Sequence, residues 1–336
     1  MAINTWMVTH KILVVGCGSI GERHVRCFGH HSCVEVTGCD INLQLRESIS
    51  QRYDIPCFAD LDTALDQGDF TAAVVATPAH LHIPIALRLV RFGLHVLMEK
   101  PLSVDLDQTE ELLEAIGKHR VAAAMAYVYH FFPCFSAMKA QLSQIEPGRL
   151  LQATLSGGQP FQFYRPAYKD TYFKDRKTGG GLIYDGLTHF SNLVEWIFGP
   201  ADQLVCDCTH QALPDVEVED TLAILSRNGG SLINYSFNLV QAPTEVTLQA
   251  NFENGSIKAE SHRQRWGWFG RGDKLWTYHD APMSDRDFPF IKQARAFLDL
   301  MEGKETDMAT IEDGIRAVRV IQAAHKSSEE RAWVKL

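Results

Sequence analysis

"HKILVVGCGSIGERHVRCFGHH", residues 10–31, decides the fold of this chain. It opens with an apolar run short enough for a buried strand and turns through G-x-G-x-x-G at Gly16, Gly18 and Gly21. It then continues with Ile20, His24 and Cys27 at helical spacing. Strand, glycine turn and helix in that order put side-chain-free backbone at a helix N-terminus, where unpaired N–H groups and the helix dipole attract phosphate. The next strand, "CVEVTGCD", ends in Asp40, 19 positions after Gly21. That is close to the spacing of about 20 at which an acid accepts hydrogen bonds from the ribose of NAD and repels the 2'-phosphate of NADP. The expected cofactor is therefore NAD, with NADP disfavoured, and the first candidates to hold it are Gly16, Gly18, Ser19, Ile20, Gly21 and Asp40.

Outward from this motif, strands alternate with amphipathic helices. Helix "LQLRESISQRY" is followed by strand "AAVVAT" (72–77), helix "LHIPIALRLVRFG", strand "HVLMEK" (95–100), helix "DLDQTEELLEAIGKH" and strand "VAAAMAY" (121–127). Crossover helices must lie over the sheet they connect, so this pattern specifies a doubly wound, Rossmann-type parallel sheet. After a connecting helix the pattern becomes strand-rich, with hairpin turns at "RNGG" and "ENGS". We expect a mostly antiparallel sheet there, with one inserted helix near 186–198 and two closing helices at roughly 288–302 and 310–327. The fold class is α/β in two domains, 1–130 and 131–336, and the C-terminal helices have the option of packing back on the first.

The chain has 336 residues, 46% hydrophobic and 22% charged, enough for such a pair of cores. Its net charge of -9 leaves no electrostatic footprint for nucleic acid or an anionic membrane. The eight cysteines contain no C-x-x-C pair and read as buried free thiols of a reducing compartment. The opening residues lack a leader signature, so a cytoplasmic location is expected. The 14 histidines lack the carboxylate or thiolate partners of a metal cluster, and no metal is expected.

Three further stretches carry chemistry. In "ATPAHLH", Thr77, Pro78 and His82 follow a strand whose carboxyl end faces the ligand crevice, although Pro78 also reads as a helix start. In "HVLMEKPLS", Glu99 and Lys100 precede Pro101, which holds Lys100 extended and makes Lys100-Pro101 a candidate cis peptide. A lysine there polarises a substrate hydroxyl or, once desolvated, acts as a base; the plainer reading is a surface cation. In "TGGGLIYDGLTHF" (178–190), Asp185 and His189 stand i, i+4 on a helix that is apolar elsewhere. They are either a first-turn charge with a partner or a histidine, oriented by a carboxylate, that accepts a hydroxyl proton.

Together "VVGCGSIGERH", "VVATPAHLHIPIALRLVRFGLHVLMEKPLS", "TGGGLIYDGLTH" and "EDGIRAVRVIQAAHKSS" resemble the Gfo/Idh/MocA oxidoreductases, named for glucose–fructose oxidoreductase and inositol dehydrogenase. The resemblance implies NAD(P) bound between a Rossmann domain and a C-terminal α/β domain whose open sheet commonly makes a homodimer or homotetramer. It also implies His189 as proton acceptor with Lys100 and Asp185 in support. The substrate implied is a small carbohydrate or polyol, oxidised at a secondary hydroxyl. Two departures stand out: Asn192 where many members have a second acid, and "YVYHFFP" (127–133) in place of an N-x-R-F-x-P-like stretch. The loop 159–181 interleaves tyrosines with cations, suited to sugar rings or equally to a solvated lid. Two other functions remain open: an enzyme that retains and recycles NAD during glycoside cleavage or epimerisation, and a dinucleotide-binding sensor without turnover.

Overall fold

A computed structural model describes residues 10–336, so the opening "MAINTWMVT", and the expectation drawn from it, lies outside the described residues. The first elements are β1 (His10–Val15), α1 (Ser19–Gly29), β2 (Val34–Cys39), α2 (Leu43–Tyr53), β3 (Cys57–Phe58), α3 (Leu61–Gln67) and β4 (Ala72–Val75). They continue with α4 (His82–Arg91), β5 (His95–Met98), α5 (Thr109–His119), β6 (Ala123–Met125) and α6 (Pro133–Leu142). Next come β7 (Leu150–Gly158), α7 (Phe161–Tyr164), α8 (Thr188–Phe198), β8 (Gln203–Thr209), β9 (Thr221–Asn228) and β10 (Ser231–Asn238). The chain closes with β11 (Glu245–Phe252), β12 (Gly255–Glu260), β13 (Arg265–Gly270), β14 (Thr277–Asp280), α9 (Phe288–Met301), α10 (Ile311–Glu330) and β15 (Val334–Lys335). Contacts divide the chain into one unit of residues 10–128 with Asp285–Ile315 and another of Tyr129–Ser284 with Arg316–Leu336.

The first unit holds a six-stranded sheet in the order β3-β2-β1-β4-β5-β6, all of whose pairings are parallel. Its centre is fully apolar: Ile12, Leu13, Val14, Ala72–Val75 and Val96–Met98 are all buried, as expected for strands covered on both faces. The pair β3 and α3 was not anticipated from sequence. Two residues of strand and seven of helix are too short for periodicity to register. Helix α9 packs on α1 through Phe297 edge-on to Phe28, ring centroids 6.2 Å apart. Arg26 grips Asp287 with a bidentate hydrogen bond, and the Arg23 guanidinium lies 4.7 Å over the Phe290 ring.

The second unit holds a nine-stranded sheet in the order β14-β13-β12-β11-β7-β10-β9-β8-β15. It is antiparallel except for β10 against β7. Along β9 and β10, buried and more exposed residues alternate, and the buried set forms one cluster with α8. Phe190 of α8 stacks on Phe237 of β10 with centroids 3.5 Å apart. Of the eight free cysteines, Cys33, Cys57 and Cys208 are only half-buried, which corrects the uniform burial expected. Cys57 is only half-buried on β3, the sheet's edge strand. Among the described residues, no helix is long and apolar enough to cross a membrane, and no cluster suits a metal ion.

One buried and three half-buried histidines give the fold a pH limit. Burial lowers the pKa of His82 against the pull of two carbonyl oxygens, and lowers those of His31, His95 and His325 likewise. The unfolded chain takes up these protons near the ordinary value of about 6.5, so the stability is complete above that pH and is lost as pH falls. We expect the calorimetric melting temperature to drop between about pH 6.5 and about pH 5, with fully buried His82 contributing most. His82→Asn should melt lower at neutral pH but with a shallower slope. Parallel slopes for the two proteins would refute this.

Candidate active site

The register of the first sheet aligns the strand ends. Val15 pairs with Cys39 on one side and Val75 on the other, and Val75 pairs with Met98. Gly16, Asp40, Ala76 and Glu99 therefore leave the sheet at one edge, on both sides of the point between β1 and β4 where strand order reverses. Ligands of open α/β sheets bind at such a switch point.

The glycine loop does two different things there. A Cβ on Gly21 would meet the Gly16 carbonyl oxygen at 1.8 Å, so only glycine lets α1 approach the end of β1. A Cβ on Gly18 would meet nothing within 4 Å: the helix N-terminus opens onto free space. Gly18 is also the N-cap, and no side chain caps the helix, so its first N–H groups are available to an anion. Ser19 is exposed and Ile20 half-buried in that first turn. Asp40 is fixed by the loop itself: Cys17 N–H donates to its Oδ2 and Asn42 N–H to its Oδ1, each at 2.7 Å. A carboxylate with two of about four lone-pair sites used still accepts ribose hydroxyls. Across the switch point, the Thr77 Oγ1 is buried without a hydrogen-bond partner, and exposed Pro78 starts the short 3-10 turn Ala79–Leu81. An open cradle, a bare helix end and an orphaned hydroxyl together suit a dinucleotide.

Other sequence candidates are committed to the protein. The His82 ring lies between two carbonyl oxygens, Nε2 to Thr77 at 2.7 Å and Nδ1 to Pro101 at 2.8 Å, and is buried. It ties the turn after β4 to the turn after β5. Glu99 is buried, with His24 Nε2 at 2.7 Å from its Oε1 and the Lys100 N–H donated to Oε2 at 3.1 Å. His24, read from sequence only as a helix-face residue, thus anchors α1 to the segment carrying Lys100. The Lys100-Pro101 peptide is cis, and Lys100 is half-buried.

In the second unit the helix expected over Asp185 and His189 is α-helical only from Thr188. Ile183–Leu187 winds as a π-helix, so the four-residue interval does not have the geometry of two stacked α-turns. Glu219 caps the entry to this helix: its carboxylate accepts Ile183 N–H at 3.0 Å and its backbone oxygen accepts Leu182 N–H at 2.9 Å. Its buried charge is paired by Arg176 at 2.9 Å. A Cβ on Gly181, at φ +90°, would meet the same carboxylate at 2.4 Å, so the glycines of "TGGG" answer a close approach. Asp185 accepts the Tyr172 hydroxyl at 3.0 Å, with the Arg165 guanidinium 4.0 Å away. His189 packs against the Tyr129 ring, centroids 5.2 Å apart. Burial, then Cys134 and Asp185, raise the Tyr129 pKa well above the usual phenol range and keep it protonated. The two departures from the family pattern meet: His130 Nε2 and Asn192 Oδ1 are 2.9 Å apart and buried.

Comparison with known proteins agrees with this reading of the chain. Residues 10–127 match the model described as oxidoreductase family, NAD-binding Rossmann fold, and residues 148–336 match the family's C-terminal alpha/beta domain. The chain is 27% identical over 339 residues to the myo-inositol dehydrogenase of Streptomyces leeuwenhoekii, covering 94% of this chain and 97% of that one. It is 22% identical over 270 residues to the inositol 2-dehydrogenase of Corynebacterium glutamicum, covering 76% of each. The solved structure of levoglucosan dehydrogenase in complex with NADH has the same fold, with a TM-score of 0.87 at 17% identity over 97% of this chain and 98% of that one.

The glycines yield a paired test. Gly18→Val should fold with a nearly unchanged melting temperature, because its side chain enters open space, yet bind NADH more than about tenfold more weakly, a loss of at least about 1.4 kcal/mol. Gly21→Ala should instead lose stability by several kcal/mol, as a steric overlap in a packed contact does. Fluorescence titration with NADH beside thermal melting separates the two. Tight NADH binding by Gly18→Val would refute the cradle.

Proposed function

The chain belongs to the Gfo/Idh/MocA oxidoreductase family, with an NAD-binding Rossmann fold, and from that premise we propose an NAD-dependent dehydrogenase of a secondary hydroxyl on a cyclic polyol, sugar or glycoside. The observation that carries this reading is the helix entry at 183–198. It holds a histidine beside a half-buried, protonated tyrosine and a carboxylate hydrogen-bonded to a second tyrosine. Binding alone needs no such acid–base group. The similarity to a myo-inositol dehydrogenase along 94% of the chain supports a cyclic polyol or a sugar as substrate.

In this proposal Gly16, Gly18, Ser19, Ile20 and Gly21 hold the cofactor's pyrophosphate, and Asp40 holds the adenosine ribose. Thr77 donates its free hydroxyl, while His82 and Glu99 keep the neighbouring turns in place. Bound NAD supplies the hydride acceptor at nicotinamide C4. His189 takes the hydroxyl proton, Asp185 orients its ring and favours the protonated form, and Lys100 polarises the same oxygen. The proposal extends to a homodimer or homotetramer through the C-terminal sheet, whose outer β14 is exposed along its length, and to a cytoplasmic location consistent with eight free cysteines.

The test is NADH formation over a panel of cyclic polyols and sugars. His189→Ala should lower kcat by about 10²–10⁴, the usual range for a lost general base, with NADH affinity within a few-fold of wild type. Lys100→Met and Asp185→Asn should fall in the same direction. Equal turnover by wild type and His189→Ala overturns the assignment of the base. NADH binding without oxidation of any panel member overturns the dehydrogenase.

A further inference from the structure

The glycine loop carries a thiol that the dehydrogenase reading does not use. Cys17 lies between Gly16 and Gly18, and its side chain faces Cys57 of edge strand β3. The two sulfurs share one gap in the sheet. A Cβ on Gly38 would meet the Cys57 sulfur at 2.7 Å and the Cys17 sulfur at 3.1 Å, so glycine at that position of β2 makes the room for them. Cys17 is buried and Cys57 half-exposed. Cys17 also donates its N–H to Asp40, which ties the sulfur pair directly to the ribose-binding acid.

We propose that Cys17 and Cys57 form an oxidation site at which hydrogen peroxide closes a reversible disulfide that weakens cofactor binding. The accessible Cys57 thiolate attacks the peroxide: an S–O bond forms, the O–O bond breaks and hydroxide leaves. The Cys17 sulfur then attacks the Cys57 sulfur, forming S–S and breaking S–O, and the thiol proton leaves with the hydroxyl as water. Both sulfurs are oxidised and the peroxide is reduced to water. The hydrogen bond donated by Cys17 supports Cys57 in the attacking role, since it lowers the Cys57 thiol to about 7. Closing the pair to a bond of about 2.05 Å draws Cys17 toward β3, and with it the loop backbone and the N–H that Asp40 accepts.

A second thiol contact, Cys206 with Cys208, provides an internal contrast. These residues alternate on one strand, β8, about 6.6 Å apart with parallel Cβ directions. A disulfide needs Cβ atoms about 3.5–4.5 Å apart, so this pair should not bridge.

The experiment treats the full-length protein with hydrogen peroxide, maps disulfides by peptide mass spectrometry without reduction, and titrates NADH by fluorescence before and after a dithiol reductant. The expected results are a Cys17–Cys57 linked peptide, a rise of at least about fivefold in the NADH dissociation constant (about 1 kcal/mol), and recovery of affinity on reduction. Cys57→Ser should bind NADH normally and ignore peroxide. Cys17→Ala, lacking the resolving thiol, should accumulate sulfinic acid at Cys57. Absence of the linked peptide overturns the proposal, as does a linked protein with unchanged NADH affinity. Either result leaves the alcohol dehydrogenase reading intact, because the linkage is read without substrate.

Discussion

The contact between α1 and the end of β1 is the constraint on which the first unit depends. At 1.8 Å from the Gly16 oxygen to a Cβ that Gly21 does not have, the helix sits closer to the strand than any other residue permits. That closeness sets the N-terminus of α1 beside the reversal of strand order. It also lets the pairing run one residue past β1 on each side, with Gly16 N–H donated to Cys39 O and Ala76 N–H to Val15 O, both at 2.8 Å. Asp40, the glycine loop and the turn carrying Thr77 then leave the sheet as one piece. The two hydrogen bonds on Asp40 complete it.

Behind this edge stand buried polar groups whose partners are mostly backbone. His82 joins the turns after β4 and β5, and His24 joins α1 to Glu99. A buried polar group left unmatched costs about 1–3 kcal/mol, so these rings hold two functional turns to positions that a flexible loop would not keep. His82 and Glu99, cofactor candidates from their place in the sequence, thus have protein partners for their side chains. His82 and Glu99 lie in the right segments, but their side chains turn inward, toward carbonyl oxygens and a second histidine.

Local pattern was enough for the parallel sheet, the glycine turn, the cis Lys100-Pro101 peptide and the strand-rich second half, because each is written in neighbouring residues. What escaped the sequence depends on contacts distant along the chain. Asp285–Ile315 belongs with the first sheet through Arg26, Phe28 and the hydrogen bond from Met125 N to Ala309 O, none of which periodicity encodes. The entry to the π-turn at 183–187 is capped by Glu219, more than thirty residues away. Tyr172 was visible only as one of several tyrosines in a cationic loop. Its bond to Asp185 is a tertiary fact.

The meeting of His130 with Asn192 turns two departures from the family pattern into one. Counted back from Pro133, the arginine of the N-x-R-F-x-P stretch falls on His130; counted forward from His189, the second acid falls on Asn192. A buried polar group left unmatched costs about 1–3 kcal/mol, and here each of the two satisfies the other. Changing both leaves a satisfied bond of 2.9 Å, with the His130 ring stacked on Trp196 at 4.1 Å and the Lys139 ammonium 4.0 Å over that indole. The consequence reaches the proposed base. With an uncharged amide at 192, Asp185 is the acid within four residues of His189. Asp185 accepts the Tyr172 hydroxyl and lies 4.0 Å from the Arg165 guanidinium, so under the proposed mechanism the loop at 161–178 bears on the base through that carboxylate.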